Sequence, residues 1–205
     1  MCAGPVQVTM LNSMASEDFA ESLDLQEEWG VEAVDLKNAI FGKSLLELTD
    51  EEAGRAREMI GERGLSVCCL SSGLFFEEVE KGQAAFIENH LDRIGRLVKL
   101  ARIFRPQFVR LLAARTRRRG DVSNAVEYLR SDHSWIFELY RRAVGEIAHA
   151  GFRVTIENEV HGCVLSRPEE VTGFFAELGC GGEVCFTWDV QNMWQMGTFP
   201  SLEAY

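Results

Sequence analysis

Six times along the chain a short apolar run gives way to a longer segment with apolar residues at helical spacing. That alternation limits the fold more than any other feature. The runs are 6–11 (VQVTML), 31–37 (VEAVDLK), 65–70 (LSVCCL), 108–113 (FVRLLA), 152–156 (FRVTI) and 184–188 (VCFTW). Several are apolar almost throughout rather than at every second position, which suits strands covered on both faces. Short apolar runs regularly alternating with amphipathic helices predict a parallel sheet with helical crossovers.

Two architectures fit this pattern, an open doubly wound sheet and a TIM barrel. No Gly-x-Gly-x-x-Gly follows the first run, which weakens the nucleotide-binding open sheet. A TIM barrel has eight βα units in ~250 residues. At roughly 33 residues per unit, the 205 residues hold about six of the eight. The expected fold is α/β, a (β/α) TIM-barrel type in one domain spanning 1–205, with the reading frame incomplete at its C-terminal end. Unpaired edges at strands one and six would then favour association between copies.

Local signals place the helices. Thr49 and Glu52 form a capping box, and that helix is expected to run to Arg63 and stop at Gly64. Ser16 is a candidate cap for the segment carrying Phe19, Leu23 and Leu25. The 84–104 segment predicts one helix ended by Pro106, and 135–150 another ended by Gly151. Ser166 and Glu169 form a second capping box, with Pro168 in the first turn. The polar stretch 115–131 is expected to be a loop, and 200–205 to open a further helix.

Charge and composition narrow the partners. The net charge of −11 would repel a phosphate backbone unless the basic residues were clustered, so nucleic acid is disfavoured. The six cysteines (Cys2, Cys68, Cys69, Cys163, Cys180 and Cys185) include no CxxC pair and no zinc-finger spacing. They predict reduced thiols in a cytoplasmic protein. No secretory leader pattern and no apolar run of ~18 residues is present, so no membrane association is expected.

In a (β/α) barrel the functional side chains sit at the C-terminal ends of the strands. Those positions hold Asp35, Ser71, Ser72, Arg110, Arg115, then Glu157-Asn158-Glu159, and finally Asp189 with Asn192 beyond it. Glu157 and Asp189 are the sharpest pair. Each follows an apolar run, and neighbouring strands lie ~4.8 Å apart. Two carboxylates that close need a shared proton or a cation between them. Hard oxygen ligands suit Mg²⁺ or Mn²⁺, with Zn²⁺ an alternative. The plainer reading is that polar residues follow strands because loops begin there. Arg115, Arg117, Arg118 and Arg119 are either a solvated charge run or a grip for an anionic substrate. His161 and His133 are loop candidates, whereas His90 and His149 are expected on helices in structural roles. Trp188 and Trp194 either pack the core or offer a wall for a sugar face.

Several phrases resemble the xylose-isomerase-like TIM-barrel superfamily, including its sugar phosphate isomerases and epimerases. Val154-Thr155-Ile156-Glu157-Asn158-Glu159 is similar to its fifth-strand motif, and Thr187-Trp188-Asp189-Val190-Gln191-Asn192 with Gly197 to its sixth. The stretch from Ser166 to Glu170 resembles its next helix start, and Val109-Arg110 its fourth strand. Glu159 departs from the His common at that place. The resemblance implies Glu157 and Asp189 as the first two metal ligands, with Glu157 also the catalytic base. It implies Asn192 as a substrate or metal contact, with further ligands after strands seven and eight. His161, Arg115 and Trp188 complete the expected substrate-binding set. The implied reaction is divalent-metal-dependent isomerisation or epimerisation of a sugar or keto acid through an enediolate. The alternatives are a non-catalytic or degenerate barrel and the family's DNA-repair endonuclease branch, which four histidines and the acidic charge speak against.

Overall fold

The computed structural model describes residues 6–199, so Cys2 and the segment 200–205 lie outside the described residues. The six expected strands are present: β1 (Thr9–Leu11), β2 (Ala33–Leu36), β3 (Ser66–Ser71), β4 (Phe108–Leu112), β5 (Arg153–Glu157) and β6 (Val184–Thr187). They form one sheet in sequential order from β1 to β6. The pairs β1–β2, β2–β3 and β5–β6 run parallel. Between the strands lie α1 (Asn12–Ala15), α2 (Phe19–Glu28), α3 (Asp50–Glu62), α4 (Gln83–Asn89), α5 (Ile94–Phe104), α6 (Ala125–Asp132), α7 (Trp135–His149) and α8 (Pro168–Leu178). Helix α9 (Val190–Gln195) follows β6. Sequential parallel order with helical crossovers is the α/β pattern that the alternating runs predict.

The chain divides into two compact units. One comprises the described residues up to Ser72 together with Arg96–Val109, and the other comprises Gly73–Gly95 and the residues from Arg110 onward. In the first unit, Leu23, Val34, Leu36, Ile60, Leu70, Leu100 and Phe104 are buried. Helix α3 turns Ala53, Ala56 and Ile60 inward, the spacing of a single helical face. Its N-terminus is the expected capping box: the Thr49 hydroxyl accepts from the Glu52 N–H at 3.1 Å, and the Glu52 carboxylate accepts from the Thr49 N–H at 2.8 Å. Arg63 closes the helix, and Gly64 follows at φ +68°, a conformation that suits glycine.

The second unit is built around aromatic rings. Tyr140 of α7 lies 4.3 Å from Phe75 and 5.2 Å from Phe174 of α8, ring centre to ring centre. Its buried hydroxyl donates to the Leu112 carbonyl at 2.7 Å, so the one polar atom of the cluster is satisfied. Cys163 is also buried, and its sulfur accepts the N–H groups of Glu159 and Leu165. Burial pushes that thiol up to about 12, so it is a neutral turn staple rather than a reactive thiolate.

Four local expectations are corrected. The cap of α2 is Asp18, which accepts the Glu21 N–H at 2.9 Å, while Ser16 braces Asp18 and Glu21 from outside. The 84–104 segment is not one helix. It breaks at His90 (φ −129°, ψ −58°), passes through a 3-10 turn at Leu91–Arg93 and restarts as α5. In an unbroken helix Phe86 and Leu91 would point about 140° apart, yet both are buried, and the break lets each face the core. The 115–131 stretch is not all loop. Asn124 caps α6 by accepting from Val126 and Glu127, and Ala125, Val126 and Leu129 form its short buried stripe. Finally, Ser166 does not box with Glu169. The first helical residue of α8 is Pro168, and the Ser166 N–H and hydroxyl both go to Glu170.

Candidate functional site

Strands β5 and β6 pair in register from Val154 with Val184 to Glu157 with Thr187. Residues two apart on a strand share a face. The hydroxyls of Thr155 and Thr187 touch, which fixes a common polar face that continues to Glu157 at the end of β5.

Glu157 is 8% exposed and Arg110 on β4 only 5%. The Arg110 guanidinium donates to Glu157 Oε2 at 2.5 Å. Burial holds the Glu157 carboxyl above the usual carboxylate range. The Arg110 charge and hydrogen bond pull it down, and repulsion from Asp189 and Glu159 pushes it further up.

Asp189 stands just past β6 and caps the six-residue helix α9, with Oδ1 accepting the Asn192 N–H at 2.8 Å. Asn158, fully buried, ties this turn to the end of β5. Its Oδ1 accepts the Asp189 N–H at 2.8 Å, and its Nδ2 donates to the Asp189 carbonyl at 2.9 Å. The Asn192 side-chain amide in turn donates to the Asn158 carbonyl at 3.1 Å. Each carboxylate therefore has one oxygen engaged by the protein. Glu157 Oε1 and Asp189 Oδ2 are used by none of the hydrogen bonds described here.

The structure brings Glu157, Asp189 and Asn192 together, with Asn158 and Arg110 added to them. Trp188 is half-buried between β6 and Asp189, and Trp194 is exposed on α9. Arg115 is half-buried, lies over the Phe76 ring at 5.1 Å and reaches Glu78 at 3.8 Å. His161 is exposed at φ +57° in the loop after β5. The next residue, Gly162, leaves no room for a side chain, since a Cβ there would meet the Thr116 carbonyl at 2.6 Å.

The arginine cluster is largely matched by acids. Arg117 pairs with Glu78 at 2.5 Å, Arg119 with buried Glu170 at 2.7 Å, and Arg118 lies over the Tyr128 ring with Asp121 at 3.9 Å. His133 bonds the Tyr128 hydroxyl at 2.8 Å, and that hydroxyl donates to Glu80 at 3.1 Å. Burial works to raise the Glu80 carboxyl, but hydrogen bonds from Thr116, Arg117 and Tyr128 outweigh it and hold the carboxyl below the usual range. Asp35, at the end of β2 in the first unit, accepts from the Thr9 hydroxyl at 3.2 Å. Burial and then the Asp35 charge raise the neighbouring Cys68 thiol to about 11. Ser71 and Ser72 are buried.

Two features escaped the sequence reading, the ion pair of Arg110 with Glu157 and the grip of Asn158 on Asp189. The first had a signal. Arg110 is the one charge in the run 108–113, and a charge in such a place needs a partner. The second had none, because an amide reading another residue's backbone leaves no spacing signature.

Among the described residues, no three or more His, Cys, Asp or Glu side chains converge to hold a metal ion. No helix among them is long and apolar enough to cross a membrane.

The fold of this chain is that of the xylose isomerase-like TIM barrels. A xylose isomerase-like TIM barrel protein from Mycobacterium smegmatis in complex with magnesium is similar to it over 91% of this chain and 65% of its own. The TM-score is 0.67 and the identity 16%. A sugar phosphate isomerase/epimerase from Parabacteroides distasonis matches with a TM-score of 0.65 at 12% identity, over 97% of this chain and 70% of that one. The IOLI protein with a bound zinc atom gives 0.69 at 15% identity, over 97% and 67%. The chain thus spans about two thirds of these structures, and 26% of a xylose isomerase-like TIM barrel/4-hydroxyphenylpyruvate dioxygenase fusion protein. No family profile and no curated protein matches the sequence.

Proposed function

We propose that the ends of β5 and β6 form part of the divalent-metal site of a sugar or keto-acid isomerase or epimerase. The observation that carries this reading is the pair Glu157 and Asp189, on adjacent strand ends, each with one oxygen committed to the protein and one left over. The donor chemistry fits a hard divalent cation. Mg²⁺ and Mn²⁺ are commonly held by one or two carboxylates, with water and substrate oxygens filling the remaining positions. Glu157 and Asp189 would be the protein ligands. The magnesium in the M. smegmatis protein and the zinc in the IOLI protein support this reading.

When bound, such a cation supplies Lewis acidity to a substrate carbonyl. The chain's own residues then do the following. Glu157, its Oε2 held by Arg110, would take the proton from the carbon beside the carbonyl. The C–H electron pair becomes the new C=C bond of an enediolate. Given back by Glu157 to the neighbouring carbon, with the hydroxyl proton passing between the two oxygens, the abstracted proton yields the isomer; epimerisation requires a second acid on the opposite face, which Glu157 cannot reach. Arg110 holds Glu157 Oε2 and so orients the carboxylate. Trp188 offers an apolar wall for the sugar face, and Arg115 and His161 lie in the loops after β4 and β5. The acidic partners of Arg115, Arg117 and Arg119 weigh against the nuclease alternative, because their charge is already matched.

The test is Mn²⁺ titration by calorimetry, followed by incubation with open-chain sugars and keto acids in ²H₂O. Stoichiometric binding that E157Q and D189N each weaken at least tenfold, with solvent deuterium entering the carbon beside the carbonyl, is the expected result. Absence of Mn²⁺ binding by the wild-type chain would sink the proposal.

A further inference from the structure

We infer that Asn158 is the positioning residue that sets the direction of the Asp189 carboxylate. This inference rests on the metal-centre reading above. Asn158 is completely buried. Its side-chain amide pairs with both backbone groups of Asp189, accepting the N–H at 2.8 Å and donating to the C=O at 2.9 Å. Two antiparallel hydrogen bonds from one planar amide fix the Asp189 peptide groups in position and in rotation, as a single bond could not.

The clasp lies just where the regular ladder stops. Strand β6 ends at Thr187, opposite Glu157, so no further rung of the sheet holds residue 189. The next support is α9, only six residues long. A helix that short is marginal by itself. The clasp extends the sheet's hold by one rung, made by a side chain instead of a strand.

Asn192 closes the circuit. Its N–H donates to Asp189 Oδ1 at 2.8 Å, and its side-chain amide donates back to the Asn158 carbonyl at 3.1 Å. With the backbone fixed by Asn158 and Oδ1 fixed by Asn192, the direction of Oδ2 is set. Asn192 therefore braces the site through both its backbone and its side chain. Both side-chain heteroatoms of Asn158 and its carbonyl are engaged within the turn. Its action on a ligand passes through Asp189.

The experiment compares Mn²⁺ affinity and amide hydrogen exchange in the wild type, N158A and I156A. Ile156 is a fully buried apolar neighbour on β5, so I156A reports the effect of loosening this strand without touching the clasp. Both variants are first checked for folding by their melting transitions. If N158A does not fold, N158S, which leaves a smaller space and keeps one polar atom, takes its place. Expected is a loss of at least tenfold in Mn²⁺ affinity for N158A, with I156A within about threefold of wild type. Without metal, the Asp189 amide should exchange slowly in the wild type and in I156A and at least a hundredfold faster in N158A. Unchanged Mn²⁺ affinity in N158A, or an equal loss in I156A, overturns the positioning role while leaving the metal centre standing. An Asp189 amide equally protected in N158A overturns the clasp itself. A wild-type chain that takes up no Mn²⁺ overturns the metal-centre reading and the positioning role together, a result distinct from the other two.

Discussion

Arg110 and Glu157 show how a buried charge constrains its surroundings. Each is almost wholly removed from water, and breaking such a pair from one side leaves the other charge uncompensated. R110M should therefore lower stability by about 3 kcal/mol near neutral pH, and R110M/E157L should recover most of it, as read by urea unfolding. Because the Glu157 carboxyl is already raised by burial, it can take up a proton once Arg110 is gone. The R110M deficit should shrink as the solution is acidified.

His90 makes a second residue-level prediction. Its ring lies 5.7 Å from Phe75 and 5.1 Å from Phe86. Burial lowers it from 6.5 to about 4. Among the charged groups facing it, Glu77 pulls it up, and Arg93 and Lys81 push it down. The unfolded chain thus binds the proton more readily than the folded one. The stability that neutral His90 contributes is complete above the unfolded value of 6.5 and is lost as pH falls from there toward 4. Between pH 7 and 5 the loss should be about 2 kcal/mol. H90L should remove that part of the pH dependence in parallel denaturation series. The sequence led to the expectation of His90 on a helix in a structural role; the structure puts it at the break between α4 and α5 and buries it, which a lone histidine in an amphipathic segment could not reveal.

The strands were legible at the scale of elements because all six apolar runs became strands, the inner four largely buried and the outer two, β1 and β6, half-buried. Helix α3 was legible down to its cap, since Thr49 and Glu52 satisfy each other locally. Where the determining contact comes from far along the chain, sequence reasoning failed. Glu170 is the clearest case. Its fully buried carboxylate accepts the Ala125 N–H at 2.8 Å and the Ser166 N–H and hydroxyl, and it pairs with Arg119 at 2.7 Å. One side chain at the start of α8 thereby anchors the start of α6, a helix that the polar composition of 115–131 hid. E170Q keeps the shape but turns one acceptor into a donor facing donors. It should cost about 3 kcal/mol. Hydrogen exchange should quicken first across 119–126 and only modestly in α7, and a uniform change over both would refute the anchoring role.

The same division between local and distant determinants holds for the whole molecule. The polar positions at the strand ends were readable, because each strand run ends where a loop begins, and Glu157 and Asp189 fell out of that pattern. Their being held by Arg110 and Asn158 was not readable, because those contacts join residues 31 to 47 positions apart, whereas Asn192 meets Asp189 from only three residues away. The site lies wholly within the second compact unit, so a bound cation should stabilise that unit specifically. A ligand that binds only the folded state stabilises it by about 2.7 kcal/mol at a hundred times its dissociation constant. For a chain of this size that corresponds to an upward shift of about 5–10 °C in the unfolding transition. Calorimetric scans with Mn²⁺ should show this shift in the wild type. They should show little of it in D189N, which keeps the cap on α9 but halves the carboxylate pair. Hydrogen exchange can assign the effect to its place: protection should grow in β5, β6 and α8 and stay level in α2 and α3. If Mn²⁺ raised the transition of D189N as much as that of the wild type, the cation would be acting elsewhere on a surface of net charge −11, and Glu157 and Asp189 would not be its ligands.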